Sequence, residues 1–380
     1  MTMHILVGIN NNIYEWQATL EISLDRPRLP LPYSFGAAFI NRGHKISAID
    51  VCSLADKNTS GGPFEKIFHI KDIMSAMKCV DIVSFWGGLA VKAILKQPFL
   101  PRPQRRVLLN SYVWKPKSFP TFNNKKKDIA TRLLARFAKG VVVMTHEQAE
   151  KAREDLSGSI PVINFRCGVD ISFYCSASSY ESVPVSHRRM VDKILRKPFI
   201  IMPGDELRIN SDALKMIERS EMLLVRISQY SDKSRTDLLT QEIAKKNLSD
   251  RVIILERISY PFMRFLLHNA AAYAGLVDST WQPAGWTVAC EALSSGVPVV
   301  LYEGLVSREL KRIGAQTAIL RSVPMRDTKT FQIALEDFVS RNHKAKYSQE
   351  ARTFAINNLN LEFTGNMFAQ QIENVFNRYI

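Results

Sequence analysis

The sequence predicts an α/β protein made of two consecutive domains, each a parallel sheet covered by helices. Short apolar runs rich in β-branched residues alternate with amphipathic segments, the pattern of strands buried on both faces. The alternation lapses once, in a Ser- and Tyr-rich stretch, and then restarts. The 380 residues, 46% hydrophobic and 23% charged, are too many for one compact core and enough for two of ordinary size.

The first half opens on the strand His4–Ile9, followed by an amphipathic segment, Ser34–Asn41, that Gly43 closes as a glycine after a helix end. Lys45–Val51 and Lys66–Ile70 read as strands, Ile73–Lys78 as a helix, and Asp81–Phe85 as a strand ending at Trp86-Gly87-Gly88. Leu89–Leu95 is a helix, Arg106–Asn110 a strand, Asp128–Ala138 a helix, Val141–Met144 a strand, Glu147–Asp155 a helix and Ile160–Phe165 a strand. After the lapse come strands at Phe199–Met202, Met222–Ile227, Val252–Leu255, Tyr273–Val277 and Pro298–Tyr302. Helices are expected at Ser211–Arg219, Asp237–Lys246, Pro261–Asn269, Thr287–Ser295, Leu305–Ile313 and Thr330–Arg341. Phe368, Ile372, Val375, Phe376 and Tyr379 line one face of a last helix. The expected organisation is a first domain over 1–171, a linker over 172–197, a second domain over 198–362 and a C-terminal helix over 363–380.

Several classes are excluded. The most apolar stretches, Phe199–Pro203 and Val297–Tyr302, are far shorter than the ~20 residues of a bilayer span. No basic region or apolar core precedes the strand at His4, so no secretory signal is expected and the chain reads as cytoplasmic. Cys52, Cys79, Cys167, Cys175 and Cys290 form no C-x-x-C pair, which argues against a disulfide framework and a structural zinc site. The histidines never fall at metal-binding helical spacing, so any chemistry is expected to be free of metal.

The most informative stretch runs from Ala271 to Val300. A buried strand opens into a polar loop holding Pro283, Ala284 and Gly285, a helix begins near Thr287, and Gly296 ends it before Pro298 starts the next strand. A glycine loop feeding a helix N-terminus offers backbone N–H groups and a positive dipole end, which suits a diphosphate. Glu291, in the second turn, is one of few acids there, and a carboxylate so placed accepts two hydrogen bonds from a ribose diol. On local physics alone, a solvated helix acid and a turn glycine explain the stretch equally well.

This stretch resembles the nucleotide-sugar signature of GT-B glycosyltransferases, specifically the retaining "group 1", family 4-like class. Those enzymes carry a Glu eight residues before a second Glu, then Ala-small-Gly-x-Pro-Val. Glu291-Ala292-Leu293-Ser294-Ser295-Gly296-Val297-Pro298-Val299 matches the second half, whereas Pro283, preceded by Gln282, stands where the first Glu is usual. Gly168-Val169-Asp170, with Phe173 after it, is similar to the class's interdomain segment, although Arg166-Cys167 replaces Pro-Asn. Met202-Pro203-Gly204-Asp205 falls where the class has Gly-Arg followed by a Lys; Asp205 replaces the Arg, and Arg208 is the cation in reach.

The resemblance implies two Rossmann-like domains facing across a cleft, with a C-terminal helix able to cross back to the first. It implies Glu291 and Arg208 as catalytic residues, and Gly204, Gln282, Gly285, Trp286, Thr287 and Glu291 as donor-binding ones. It also implies transfer from a nucleotide-diphosphate sugar, a UDP-sugar favoured, to a glycan or lipid-linked acceptor, with no cofactor and no metal. His146, Trp86, Asn110 and Tyr112 end or follow strands of the first domain, where α/β ligands sit, and are candidates for the acceptor side.

Lys plus Arg exceeds Asp plus Glu by 15, and the excess is concentrated. Residues 92–139 hold thirteen Lys and Arg and the single acid Asp128, interleaved with aromatic and aliphatic side chains. Arg105, Arg106, Trp114, Lys125, Lys126 and Lys127 are the expected face toward an anionic membrane surface, at roughly 1 kcal/mol per cation near the interface. A merely solvated basic face is the plain alternative. No helix-turn-helix, zinc finger, RNP or KH motif is present, so nucleic acid is not expected as a partner. The expected setting is the inner face of a membrane, in cell-surface polysaccharide or glycolipid synthesis. A second reading stands beside it: a non-catalytic sugar-nucleotide binder, or another GT-B enzyme such as a phosphorylase or epimerase.

Overall fold

A computed structural model describes residues 2–9, 22–29, 36–50, 65–86, 93–99, 106–110, 114, 132–133, 135–204, 209–228, 233–340 and 344–377. The chain divides into two compact units. One comprises Met1–Ile22, Arg28–Gly168 and Leu361–Ile380; the other comprises Ser23–Pro27 and Val169–Asn360.

The first unit contains β1 (His4–Ile9), α1 (Ala37–Asn41), β2 (Lys45–Asp50), β3 (Lys66–His69), α2 (Ile73–Lys78), β4 (Ile82–Trp86), β5 (Val107–Asn110), β6 (Gly140–Val143), α3 (His146–Asp155) and β7 (Val162–Asn164). Its parallel sheet has the order β3-β2-β1-β4-β5-β6-β7. Leu6, Ile49, Val83, Val107, Leu109, Val141 and Val143 are buried in one continuous core, each full burial contributing ~1.5–3 kcal/mol. Helix α3 starts cleanly because Thr145 accepts from the Gln148 backbone N–H (3.3 Å) while the Gln148 side chain accepts from the Thr145 N–H (3.2 Å).

The second unit runs α4 (Ile171–Tyr174), α5 (Val185–Leu195), β8 (Phe199–Pro203), α6 (Asn210–Glu218), β9 (Leu223–Ser228), α7 (Lys233–Lys245), β10 (Val252–Glu256), α8 (Tyr260–Asn269), β11 (Ala272–Gly275), α9 (Trp286–Ser294), β12 (Val299–Tyr302), α10 (Leu305–Arg312), β13 (Leu320–Val323), α11 (Thr328–Ser340) and α12 (Lys344–Asn358). The sheet is parallel in the order β10-β9-β8-β11-β12-β13.

Three features differ from the sequence expectation. The stretch 172–197 contains α4 and α5, with Phe173, Tyr174, Val191 and Ile194 buried. Strand β13, Leu-Arg-Ser-Val, is too short and too polar in its middle to register as an apolar run. Helix α12 buries Ala351, Phe354 and Ala355, and two alanines beside a single large apolar residue give little periodic contrast.

The last helix, α13 (Leu361–Asn377), belongs to the first unit, as the fold class allowed. Of its expected apolar face, Phe368, Ile372 and Phe376 are buried, Val375 is half-buried and Tyr379 lies outside the described residues; the Phe368 ring meets Phe165 at 4.6 Å and Phe39 at 5.9 Å. The Gln371 amide bonds both backbone groups of Asn164, at the end of β7 (3.2 and 3.1 Å). Glu373 accepts from Arg42 Nε (2.7 Å) and from His44 Nε2 (2.7 Å), while His44 Nδ1 accepts the Met3 N–H (3.1 Å). That geometry fixes His44 as the neutral Nε2–H tautomer.

The Arg42 hydrogen bond, with help from His44, holds the Glu373 carboxyl below its ordinary range against the opposing effect of burial. Its stabilisation is therefore present above the unfolded value of about 4.3 and is lost as pH falls through the lower folded value. Glu373→Gln should destabilise the protein by about 1 kcal/mol at pH 7, with the difference from wild type shrinking at pH 3.5, as read by denaturant unfolding at both pH values.

Candidate functional site

In an open parallel sheet, ligands collect outside the carboxyl ends of the strands where the strand order reverses. In the second unit that point lies between β8 and β11. After β8 the chain turns at Gly204, in the left-handed region at φ +97, and its N–H donates to Ile227 O at the end of β9 (3.0 Å). The N–H of Ile209 donates to Leu276 O just past β11 (2.9 Å), so the start of α6 closes on the same corner. Arg226 braces it: the buried guanidinium donates to Asn210 Oδ1 and to Met202 O, both at 3.2 Å. The sequence reading missed Arg226, whose signal was a lone cation inside an otherwise apolar strand.

From β11 the chain enters the Asp278–Gly285 loop. Ser279 O accepts the Leu305 N–H (2.8 Å) and Thr280 O accepts from Arg308 (3.3 Å), tying the loop to the first turn of α10. Gly285 caps α9 at φ +83, a conformation costly for residues with a Cβ, and supplies no side-chain oxygen to the first-turn N–H groups. Trp286 is buried, Thr287 is exposed and Gln282 is partly buried. At the other end Gly296 stands at φ +82, where a Cβ would collide with the Ser348 side chain of α12.

Glu291 lies in the second turn of α9, partly buried. Burial pushes its carboxyl up to about 7. The phenol of Tyr174 on α4 lies beside it without completing a hydrogen bond of full geometry, and so offsets only part of that desolvation. Helix α4 is pinned in place from α8 and α9. Arg264 lies over the Phe173 ring (4.4 Å) and donates to Phe173 O (3.1 Å), and Cys175 Sγ donates to Ser294 O (3.1 Å).

Gly204, Gln282, Gly285, Trp286, Thr287 and Glu291 therefore belong to two loops and one helix around a single strand crossover. Arg208 lies outside the described residues, as do Tyr112, Arg105, Lys125, Lys126 and Lys127. In the first unit, Trp86 and Asn110 are paired in register at the carboxyl ends of β4 and β5, and His146 follows β6, so adjacent strands bring the three to one edge. The Asn110 amide donates to Ser84 (3.0 Å), and His146 Nε2 pairs with Glu150 at 3.2 Å.

Trp114, expected on the membrane face, is a correction. It is 2% exposed, and its indole N–H donates to Asp155 Oδ2 (3.1 Å), which also accepts from Arg132 (3.0 Å). A large ring in a basic segment fills the core, with its one polar atom satisfied. Among the segment's described residues the exposed apolar side chains are instead Leu95, Phe99, Leu133 and Phe137, between 51% and 77% exposed.

Because the folded state keeps a proton on Glu291 up to about 7, stability falls as pH rises from about 4.3 through that window. Glu291→Gln should stabilise the ligand-free protein at pH 8 by on the order of 2 kcal/mol. That advantage should vanish near pH 4, as thermal unfolding across the range will read.

No family model matches the sequence, and no curated protein matches it. Solved structures do match. Sucrose-phosphate synthase from Thermosynechococcus elongatus superposes with a TM-score of 0.73 at 13% identity, over 99% of this chain and 100% of that one. HepE of Anabaena in complex with UDP-glucose gives 0.71 at 13% identity, over 98% and 100%. The α,α-trehalose 6-phosphate synthase of Burkholderia multivorans gives 0.71 at 12% identity, over the whole of both chains. With its two parallel α/β units in series and matches spanning full lengths, the chain has the GT-B fold.

Proposed function

We propose that the chain is a glycosyltransferase that moves a sugar from a nucleotide-diphosphate sugar to a glycan or lipid-linked acceptor, with retention at the anomeric carbon. The observation that carries this is the glycine-capped N-terminus of α9 at the strand crossover, with Glu291 one turn behind it. The binding of UDP-glucose by HepE, a protein of the same fold, supports a UDP-sugar as the donor.

The chemistry follows from charge. Departure of the nucleoside diphosphate places negative charge on the β-phosphate, where the dipole of α9, its first-turn N–H groups and Arg208 stabilise it. No protein nucleophile is assigned. The ionised Glu291 accepts both ribose hydroxyls, and because its carboxyl titrates at about 7, donor affinity rises through neutral pH. Trp86, Asn110 and His146 on the carboxyl edge of the first unit's sheet serve the acceptor.

The enzyme works as a peripheral protein at the inner face of a membrane, in polysaccharide or glycolipid assembly. The cationic surplus of residues 92–139 supports this, as do Leu95, Phe99, Leu133 and Phe137, which are exposed within it. Among the described residues no helix is long and apolar enough to cross a membrane. A second reading, a non-catalytic sugar-nucleotide binder or another GT-B enzyme such as a phosphorylase or epimerase, is favoured by Pro283 in place of the first Glu and by Asp205 in place of the Arg.

Thermal unfolding with UDP, GDP and ADP should show a rise with one of them, and no shift with any would refute the donor site. Glu291→Ala should abolish transfer while the protein still unfolds cooperatively. If transfer fails in the wild type while a nucleotide binds, the second reading replaces the first. Flotation with anionic vesicles should carry the protein up and neutral vesicles should not; equal behaviour on both would refute membrane attachment.

A further inference from the structure

We propose that the amino edge of the second unit's sheet holds a second ligand site, one that takes a small organic anion: a phosphate monoester carried on an apolar ring. The site lies at the opposite ends of the strands from the crossover described above, and it does not depend on the nucleotide-sugar reading.

A cavity of about 440 Å³ opens where Phe199, Ala271 and Pro298 lead into β8, β11 and β12. That volume is ordinary for a small-molecule site. The room is left by small side chains: Ala270 and Ala271 join α8 to β11, and Gly296 follows α9. Two rings close one side. Phe338 in the last turn of α11 and Tyr347 of α12 meet edge to face, with centroids 6.2 Å apart. Leu195 and Val339 extend that apolar wall.

Helix ends usually offer carbonyl oxygens, but here most are already used. At the end of α9, Glu291 O, Ala292 O and Leu293 O accept from the N–H groups of Ser295 (2.9 Å), Val297 (2.8 Å) and Gly296 (3.0 Å). Ser294 O accepts from Cys175 and Ser295 O from Arg352 (3.2 Å). On α8, the Ala270 N–H donates to Leu266 O and Leu267 O, and the Asn269 amide to Phe265 O (2.8 Å). What remains is positive charge. Arg196 and Lys197, exposed on the rim just past α5, form no ion pair among the described residues. Arg352 lies behind Gly296, its Nε buried without an acceptor, 2.9 Å from where a Cβ on that glycine would stand. No acid lines the cavity, and Asp337, beside Phe338, is held by Arg321 (3.2 Å). The ends of α5, α8, α9 and α11 contribute about half a negative charge each, so the three cations outweigh them. A phosphate monoester supplies the acceptors and the charge that the rim lacks, and its ring fills the wall of Phe338 and Tyr347.

Phenyl phosphate is the probe, titrated into the full chain and followed by the proton and phosphorus line widths of the ligand in nuclear magnetic resonance. It should bind saturably, with a Kd on the order of 1 mM. Inorganic phosphate carries the charge alone and phenol the ring alone, and each should bind at least about tenfold more weakly. The double variant Arg196→Ser/Lys197→Ser has no ion pair to lose, so it should unfold at the wild-type midpoint while its affinity for phenyl phosphate falls about tenfold. Any thermal shift produced by UDP should be the same in the variant as in wild type, since the two side chains lie at the other edge of the sheet. Absence of saturable binding would overturn the proposal, as would undiminished binding to the double variant. Inorganic phosphate binding as tightly as its phenyl ester would overturn the assignment of a ring. A UDP shift that changes in the variant would refute the separation of the two sites.

Discussion

A parallel sheet has no face to spare for water. Each strand must be followed by a crossover that lays cover on one side or the other, so both faces become core, and polar groups are confined to the edges where strands stop. In this chain that constraint decides nearly everything. The strands are mostly apolar because both of their faces are packed, and a polar residue within one, such as Arg226, has its donors satisfied. The places where the chain can do chemistry are then few: the carboxyl ends, and above all the gap where the crossovers part in opposite directions. Gly204, the Asp278–Gly285 loop and the head of α9 all stand at that gap in the second unit because the strand order leaves them nowhere else.

Within this frame, Glu291 is the conspicuous departure. Helix α9 is otherwise buried on alanine, cysteine and leucine, and a carboxyl in its second turn opposes the folding of the helix against the sheet. A burial that raises a carboxyl to about 7 is a standing cost when the site is empty. Under the nucleotide-sugar reading proposed above, that cost is offset when the carboxylate meets its hydroxyls, because hydrogen bonds to a desolvated group are stronger than those to a hydrated one.

Much of this was legible beforehand, for identifiable reasons. The sheet was readable because fully buried strands leave uninterrupted apolar runs, and α9 because glycine in a left-handed conformation brackets it at Gly285 and Gly296. What escaped notice had no local signal. Strand β13 is four residues with a polar middle, and α12 packs through two alanines and a single phenylalanine. Tyr174 lies in a stretch that reads as connecting chain, yet it is a buried residue of α4. Trp114 misled for the opposite reason: its neighbours in sequence are basic, while in space its ring belongs to the apolar core and only its indole N–H meets a charge, that of Asp155.

The return of α13 to the first unit sets an order of events during synthesis. The residues of α1 and β7 that receive Phe368, Gln371 and Glu373 are made early, but the helix that packs on them leaves the ribosome only after the whole stretch Val169–Asn360. The second unit, continuous from Val169 to Asn360 apart from a short N-terminal piece, has its strands and helices complete before then. The first unit therefore waits with apolar surface uncovered through the translation of the other. Its final stability comes from a segment it shares no sequence neighbourhood with, and lesions near the C-terminus should be felt as defects of the N-terminal sheet.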